Sequence, residues 1–114
     1  MKVTSILIPY STLVFYDAPD VVHCKDSNGN DHLVSRVVET GYSDDDNLYY
    51  YGVRISNDRL FKFLDGSLDL RECLELPFEN QWNLSKINDD GNLEVIEIYD
   101  EVMDKFLPKS GFYL

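Results

Sequence analysis

The side chains with the most reactive chemistry are Cys24, His23 and His32, which lie close together in the chain. A cysteine becomes a nucleophile when a histidine takes its proton, so this trio is the first arrangement to examine. A hairpin with a two-residue Asn28-Gly29 turn would place both histidines on one strand face and Cys24 on the other. We therefore predict that Cys24 is a buried, unreactive thiol and that the trio supplies no catalytic residue.

The same register places Cys24 opposite Leu33 and gives the hairpin one apolar face. This face is the predicted core side and carries Val22, Cys24, Leu33 and Val37. His23 and His32 would be diagonal neighbours on the other face, where a nearby carboxylate could complete a metal site. Solvent-facing imidazoles are the preferred interpretation, so we predict no metal site and no cofactor.

Other catalytic patterns fail on spacing. No lysine after residue 2 has an acidic residue two positions before it, as a restriction-type nuclease requires, and no glycine-rich loop opens a helix to hold a phosphate. The GxSxG and HExxH patterns are absent as well. These observations predict a protein that is not an enzyme.

Charge and length narrow the classes further. The chain has 114 residues, with 10 Lys and Arg against 21 Asp and Glu, for a net charge of -11. Such a charge repels nucleic-acid backbones and anionic membranes, and it attracts basic proteins. The length predicts one domain over residues 1–114 and argues against a barrel or a two-domain enzyme.

The compartment is predicted from cysteine usage and from the N-terminus. Cys24 and Cys73 have no metal or redox spacing, which favours reduced thiols. Pro9 interrupts the apolar stretch 6–8 before it reaches the length of a signal peptide, and no window approaches the ~18 apolar residues of a membrane span. We predict a cytoplasmic protein.

The hydrophobic pattern predicts an α+β domain: a mostly antiparallel sheet of two hairpins plus a central strand, with one or two short helices packed on one face. The first hairpin joins residues 21–26 to 31–39, and the central strand covers 48–55. The second joins 82–87 to 93–99 through a three-residue loop with Gly91 in the left-handed position, which pairs Lys86 with Glu94 and Leu84 with Ile96.

Helix signals follow the central strand. Ser56 is a predicted N-cap and Gly66 a predicted left-handed stop. Asp69 and Glu72 fit a capping box that opens a second short helix, closed by Pro77.

Asp44, Asp45 and Asp46 predict an exposed acidic loop, because this segment has no hydrophobic periodicity. Alternation along the next strand sends Tyr50 to the face opposite its two tyrosine neighbours, and tyrosines are enriched where proteins meet. We predict that these three aspartates and Tyr50 bind a protein partner. In the alternative interpretation, Tyr50 lies under the C-terminal segment.

Two stretches also resemble an uncharacterised bacterial domain family. These are Tyr16-Asp17-Ala18-Pro19, similar to a Tyr-Asp-Gly-Pro turn, and Gly66-Ser67-Leu68-Asp69-Leu70-Arg71, similar to a Gly-x-x-Asp-Leu-Arg helix start. The resemblance covers residues 12–77. It implies a domain without an assigned activity that often forms the N-terminal part of longer proteins.

The predicted function is a non-enzymatic interaction or regulatory module of a bacterial or phage protein, with a basic protein partner and no direct nucleic-acid binding. The runner-up is an acidic inhibitor that imitates nucleic acid and blocks a DNA- or RNA-handling enzyme. The two differ at the surface. A mimic presents rows of carboxylates, whereas an interaction module presents an apolar or tyrosine patch with a polar rim.

Overall fold

The computed structural model describes residues 5–16, 18–37, 48–75 and 81–114. In these residues, six antiparallel strands pair in chain order, and the first also pairs with the last, which closes a barrel. The strands are β1 (Ile6–Tyr16), β2 (Ala18–Lys25), β3 (Asp31–Val37), β4 (Tyr49–Arg54), β5 (Trp82–Ile87) and β6 (Leu93–Tyr99). Two helices, α1 (Asn57–Leu64) and α2 (Leu70–Glu75), connect β4 to β5, and a 3-10 turn covers Asp104–Phe106.

The α+β class and the mostly antiparallel sheet are confirmed, but the argument that the chain is too short for a barrel is wrong. Strands of six to eleven residues are short enough for six of them to close within 114 residues. β1 continues through Pro9 instead of stopping there, and register shifts along its pairing with β2 mark bulges. Bulges bend a strand and increase its twist, and a sheet must curve in this way to close.

The strands carry buried residues on both faces. One cluster contains Leu7, Val22, Cys24, Val34, Tyr50 and Leu93, drawn from β1, β2, β3, β4 and β6. Side chains on the inner face of a closed sheet meet one another without residues of other elements, and this cluster contains strand residues alone, so it fills the interior. A second cluster joins strand residues such as Leu33 and Tyr51 to Phe63 of α1 and Leu74 of α2.

The first hairpin has a longer turn than predicted. Asp26 N donates to Asn30 O at 3.1 Å, and Gly29 has a φ of +81°, so three residues form the loop. Lys25 therefore pairs with Asp31, one position away from the predicted register. The predicted type I′ turn is wrong because the Asp26 carboxylate accepts the backbone N–H groups of Asn28 (2.9 Å) and Asn30 (3.0 Å), which stabilises the wider turn.

The second hairpin has its predicted bounds and loop. Asn88 N donates to Asn92 O at 2.8 Å, Gly91 has a φ of +82°, and Lys86 pairs with Glu94. Farther from the turn the predicted pairing is wrong, because a register shift after Leu84 places that residue opposite Glu97.

The helix caps are confirmed. Arg59 N donates to Ser56 Oγ at 3.3 Å at the start of α1, and Gly66 lies beyond its end with a φ of +86°. Asp69 Oδ1 accepts from Glu72 N at 2.7 Å, while its Oδ2 accepts from Gly111 N at 2.9 Å. Asp69 thereby joins the start of α2 to the C-terminal segment. Pro77 lies outside the described residues.

The C-terminal segment contacts both helices and strands. Leu70 N donates to Phe112 O at 2.9 Å, and Met103 N donates to the hydroxyl of Tyr51 at 2.9 Å. Phe106 belongs to the second buried cluster, and its ring centroid lies 5.3 Å from that of Tyr51. The residue under this segment is therefore Tyr51, the neighbour of the tyrosine named in the alternative interpretation.

We expect Gly52→Ala to destabilise the protein by about 3 kcal/mol or more in urea unfolding. A Cβ on Gly52 would lie 2.4 Å from Val34 Cγ1 and 2.5 Å from Leu33 O, and the backbone oxygen cannot move aside cheaply. Gly91→Ala is the matched control: it meets only backbone strain, because nothing lies within 4 Å of a Cβ there. Equal losses in the two variants would contradict this account of β4.

Candidate functional site

Of the predicted partner-binding residues, Tyr50 is the one that the structure describes. Asp44, Asp45 and Asp46 lie outside the described residues. Tyr50 is 1% exposed in the barrel interior, where burial raises the pKa of its phenol. Alternation does send Tyr50 to the opposite face, but closure of the barrel buries that face too. The expectation that Tyr50 lies at the surface is corrected.

Cys24 lies directly opposite His32, because the hairpin register differs from the predicted one. It is fully buried in the interior, as predicted, although Leu33 belongs to the other cluster and is not its partner. Burial raises the pKa of the thiol to about 12. His32 Nδ1 has no hydrogen-bond partner among the described residues, so no hydrogen bond joins this atom to the thiol. Cys24 and Cys73 are both free thiols.

Each histidine pairs with an aspartate. His23 Nε2 lies 2.7 Å from Asp31 Oδ1, and His32 Nε2 lies 3.0 Å from Asp26 Oδ2. Both histidines are 9% exposed, so the expectation of solvent-facing imidazoles is wrong. His23 pairs with Leu33, whereas His32 pairs with Cys24, so the two imidazoles lie on opposite faces of the sheet. The part of the chain that the structure describes contains no group of three ligands able to hold a metal ion.

Asp26 is the centre of this polar network. Its Oδ1 accepts from the backbone of the turn, and its Oδ2 accepts from Asn30 Nδ2 at 3.2 Å and faces His32. Burial raises the pKa of Asp26, but the hydrogen bonds from His32, Asn30 and Asn28 together outweigh burial and lower the pKa to about 2. The carboxylate is therefore ionised across the ordinary pH range.

Several large apolar residues are exposed on α1 and on the C-terminal segment that ends beside it, and we call this set the α1 patch. It consists of Phe61, Leu64, Phe112, Tyr113 and Leu114. Phe61 and Leu64 share one side of α1 because they are three residues apart. The C-terminal residues lie beside the end of this helix, since Leu114 O is 3.3 Å from the place of a Cβ on Gly66.

Two exposed aspartates lie at the ends of α1, beside the α1 patch. Asp58 and Asp65 are exposed at the two ends of α1, and Asp58 makes a 3.4 Å ion pair with Lys62. Asp69 lies farther along, buried under the C-terminal segment. The α1 patch thus combines exposed apolar side chains with two exposed carboxylates. Sequence reasoning missed it because its C-terminal members are about fifty positions away from α1 in the chain.

The structure defines the class of the protein as a small closed antiparallel barrel with a short helical connection. No helix in the described residues is long and apolar enough to cross a membrane. No family model matches the chain, and no curated protein or solved structure gives a significant match. The resemblance to a bacterial domain family therefore stays a prediction.

We expect Cys24 to react with an aromatic disulfide reagent at least a hundredfold more slowly in the native protein than in urea. A pKa near 12 leaves almost no thiolate, and the sulfur is buried. The measurement is the rate of labelling at Cys24 in a Cys73→Ser variant. Rapid native labelling would show that the barrel opens or that the interior assignment is wrong.

We expect Asp26→Asn to lower stability by about 2 kcal/mol at neutral pH, because the pKa of Asp26 is about 2 in the folded state against 3.8 as the ordinary value. A lowered folded pKa contributes stability above pH 3.8 that is lost as the pH falls towards 2. The gap between wild type and variant, measured by urea unfolding across pH 2 to 7, should therefore close in acid. Asp58→Asn, at an exposed site, is the control that should show little gap at any pH.

Proposed function

We propose that this protein is a non-enzymatic interaction module that binds a basic protein partner through the α1 patch. The observation that carries the proposal is the cluster of exposed apolar side chains beside acidic residues at the end of α1. Interfaces combine an apolar centre with a polar rim, and aromatic residues are enriched among their anchors. Phe61 and Tyr113 are aromatic members of the patch that fit this role.

The buried chemistry supports a non-enzymatic role. Cys24 is sealed in the interior with a raised pKa, and both histidines are engaged by carboxylates. We also propose that both helices cover one face of the sheet. In support, residues of α1 and α2 share a buried cluster with residues of β3, β4 and β5.

Electrostatics would act on the rate of association. A net charge of -11 steers a basic partner towards the protein, and the predicted loop with Asp44, Asp45 and Asp46 adds to this field. The Debye length falls from ~10 Å at 0.1 M salt to ~3 Å at 1 M, so salt should slow association. Dissociation depends on the buried apolar anchors instead and should change little with salt.

We expect Phe61→Ser to weaken capture of the partner by about tenfold or more, since the loss of an aromatic anchor costs about 2 kcal/mol or more and 1.4 kcal/mol is already tenfold. The immobilised protein would capture binders from a bacterial lysate, and the dissociation rate of the principal binder would then be measured for each variant. Ile8→Ser is the matched control, because it removes an apolar side chain of comparable exposure (53% against 67%) on β1.

Two outcomes would contradict the proposal. The first is equal loss of binding in the Phe61 and Ile8 variants. The second is a captured nucleic-acid enzyme that is displaced by duplex DNA and is insensitive to Phe61→Ser, which would favour the nucleic-acid mimic. Neutralising the three loop aspartates to asparagine tests the steering separately, because it should slow association at low salt only.

A further inference from the structure

A pocket opens at the end of the barrel where β2 ends and β3 begins. Its volume is about 310 Å³. This volume lies at the lower end of the range of about 300–1,000 Å³ that small-molecule pockets span. Its polar lining residues, which we call the polar wall, are His32, Arg54, Asn83, Gln81 and residues of the Asp26–Asn30 turn. Its aliphatic lining residues, which we call the aliphatic wall, are Leu7, Val95 and Ile98 of β1 and β6, and Ile98 pairs directly with Asn83.

Two side chains of the polar wall carry buried atoms without a partner among the described residues. These atoms are His32 Nδ1 and Asn83 Oδ1. A buried polar atom that makes no hydrogen bond costs about 1–3 kcal/mol, so native proteins rarely keep one without a reason. Both residues line the same pocket, so one ligand would explain both unpartnered atoms.

The carboxylate of Asp26 determines which ring nitrogen of His32 carries the proton. His32 Nε2 lies 3.0 Å from Asp26 Oδ2, and an ionised carboxylate can only accept a hydrogen bond. Nε2 therefore carries the proton, and in the neutral ring Nδ1 is an acceptor. Asn83 Oδ1 is an acceptor too, so the residues that line the pocket hold two buried acceptors that a ligand with two donors would satisfy.

The charges and the shape of the pocket limit which kind of ligand can bring these two donors. Asp26 and Arg54 carry opposite charges on the same wall, so neither an anion nor a cation gains from both. Trp82 also lines the pocket, and its Nε1 donates to Leu74 O at 2.7 Å, so the indole N–H is not available to a ligand. Hydroxyl groups can donate to the two acceptors and also accept from the amide groups of Asn30 and Gln81.

We propose that this pocket binds a neutral polyol of the size of one sugar ring, with hydroxyl groups on His32 and Asn83 and the carbon face on the aliphatic wall. The proposal does not rest on the α1 patch. Pockets with one apolar wall and a few fixed polar groups are the usual form of small-molecule sites.

The test is titration of the ¹⁵N-labelled protein with single compounds at up to 100 mM, followed by NMR chemical shifts. Glucose, galactose, mannose and inositol are the polyol probes; acetamide, phosphate and guanidinium are the probes of other classes. We expect at least one polyol to give saturable shifts at Asn30, His32 and Asn83 that none of the other three compounds gives.

Asn83→Leu should weaken that binding about fivefold to tenfold, the effect of one neutral hydrogen bond, without lowering stability in urea. Its matched control is Asn57→Leu, which changes an exposed residue of α1 and should leave binding unchanged. Ile98→Trp narrows the pocket from a largely exposed position, so it should block binding with little risk to folding.

The proposal is overturned if no polyol gives saturable shifts, which would mean that the pocket holds water only. It is also overturned if phosphate, guanidinium or acetamide binds in place of the polyols, or if Asn83→Leu and Ile98→Trp bind as tightly as wild type.

Discussion

The hydrogen bonds of Asp26 set the turn between β2 and β3, and this turn decides which side chains share a face of the sheet. Its carboxylate accepts from two backbone N–H groups of the turn, and this sets a three-residue loop between β2 and β3. A shift of one residue in a hairpin exchanges the two faces of a strand. The turn therefore decides that Cys24 and His32 share a row and that His23 lies on the opposite face. The same carboxylate also orients the ring of His32.

Closure of the barrel is the second constraint. A small barrel has room for few interior side chains, and here the interior cluster takes large residues such as Leu7 and Tyr50. At Gly52 the β4 backbone passes so close to Val34 that no side chain fits. The missing Cβ of Gly52 and the bulges of β1 have the same effect, because both allow short strands to bend around a narrow core.

Local signals in the sequence predicted local structure well. The caps at Ser56 and Asp69 and the Gly91 loop are each defined by a few adjacent residues, and each is present. The failures concern relations between distant segments. Alternation gave the face of Tyr50 correctly, but whether that face is buried depends on the pairing of β1 with β6, about ninety positions apart in the chain. The first hairpin failed for a different reason, because Asn28-Gly29 fits two turn types and the choice depends on the side chain of Asp26.

The candidate sites were harder to predict than the elements. The α1 patch requires the C-terminal residues to lie beside the end of α1, a contact between segments about fifty positions apart. The barrel-end pocket requires β3, β4 and β5 to place His32, Arg54 and Asn83 at one end of a closed sheet. Neither arrangement has a short motif, because in both cases the chemistry comes from single residues on separate elements. The closed fold encloses Cys24 and His23, and it leaves open the apolar side chains beside α1 and the pocket at the end of the barrel that His32 helps to line. Both proposals are placed at these two regions because a partner or ligand can make contact there without opening the barrel.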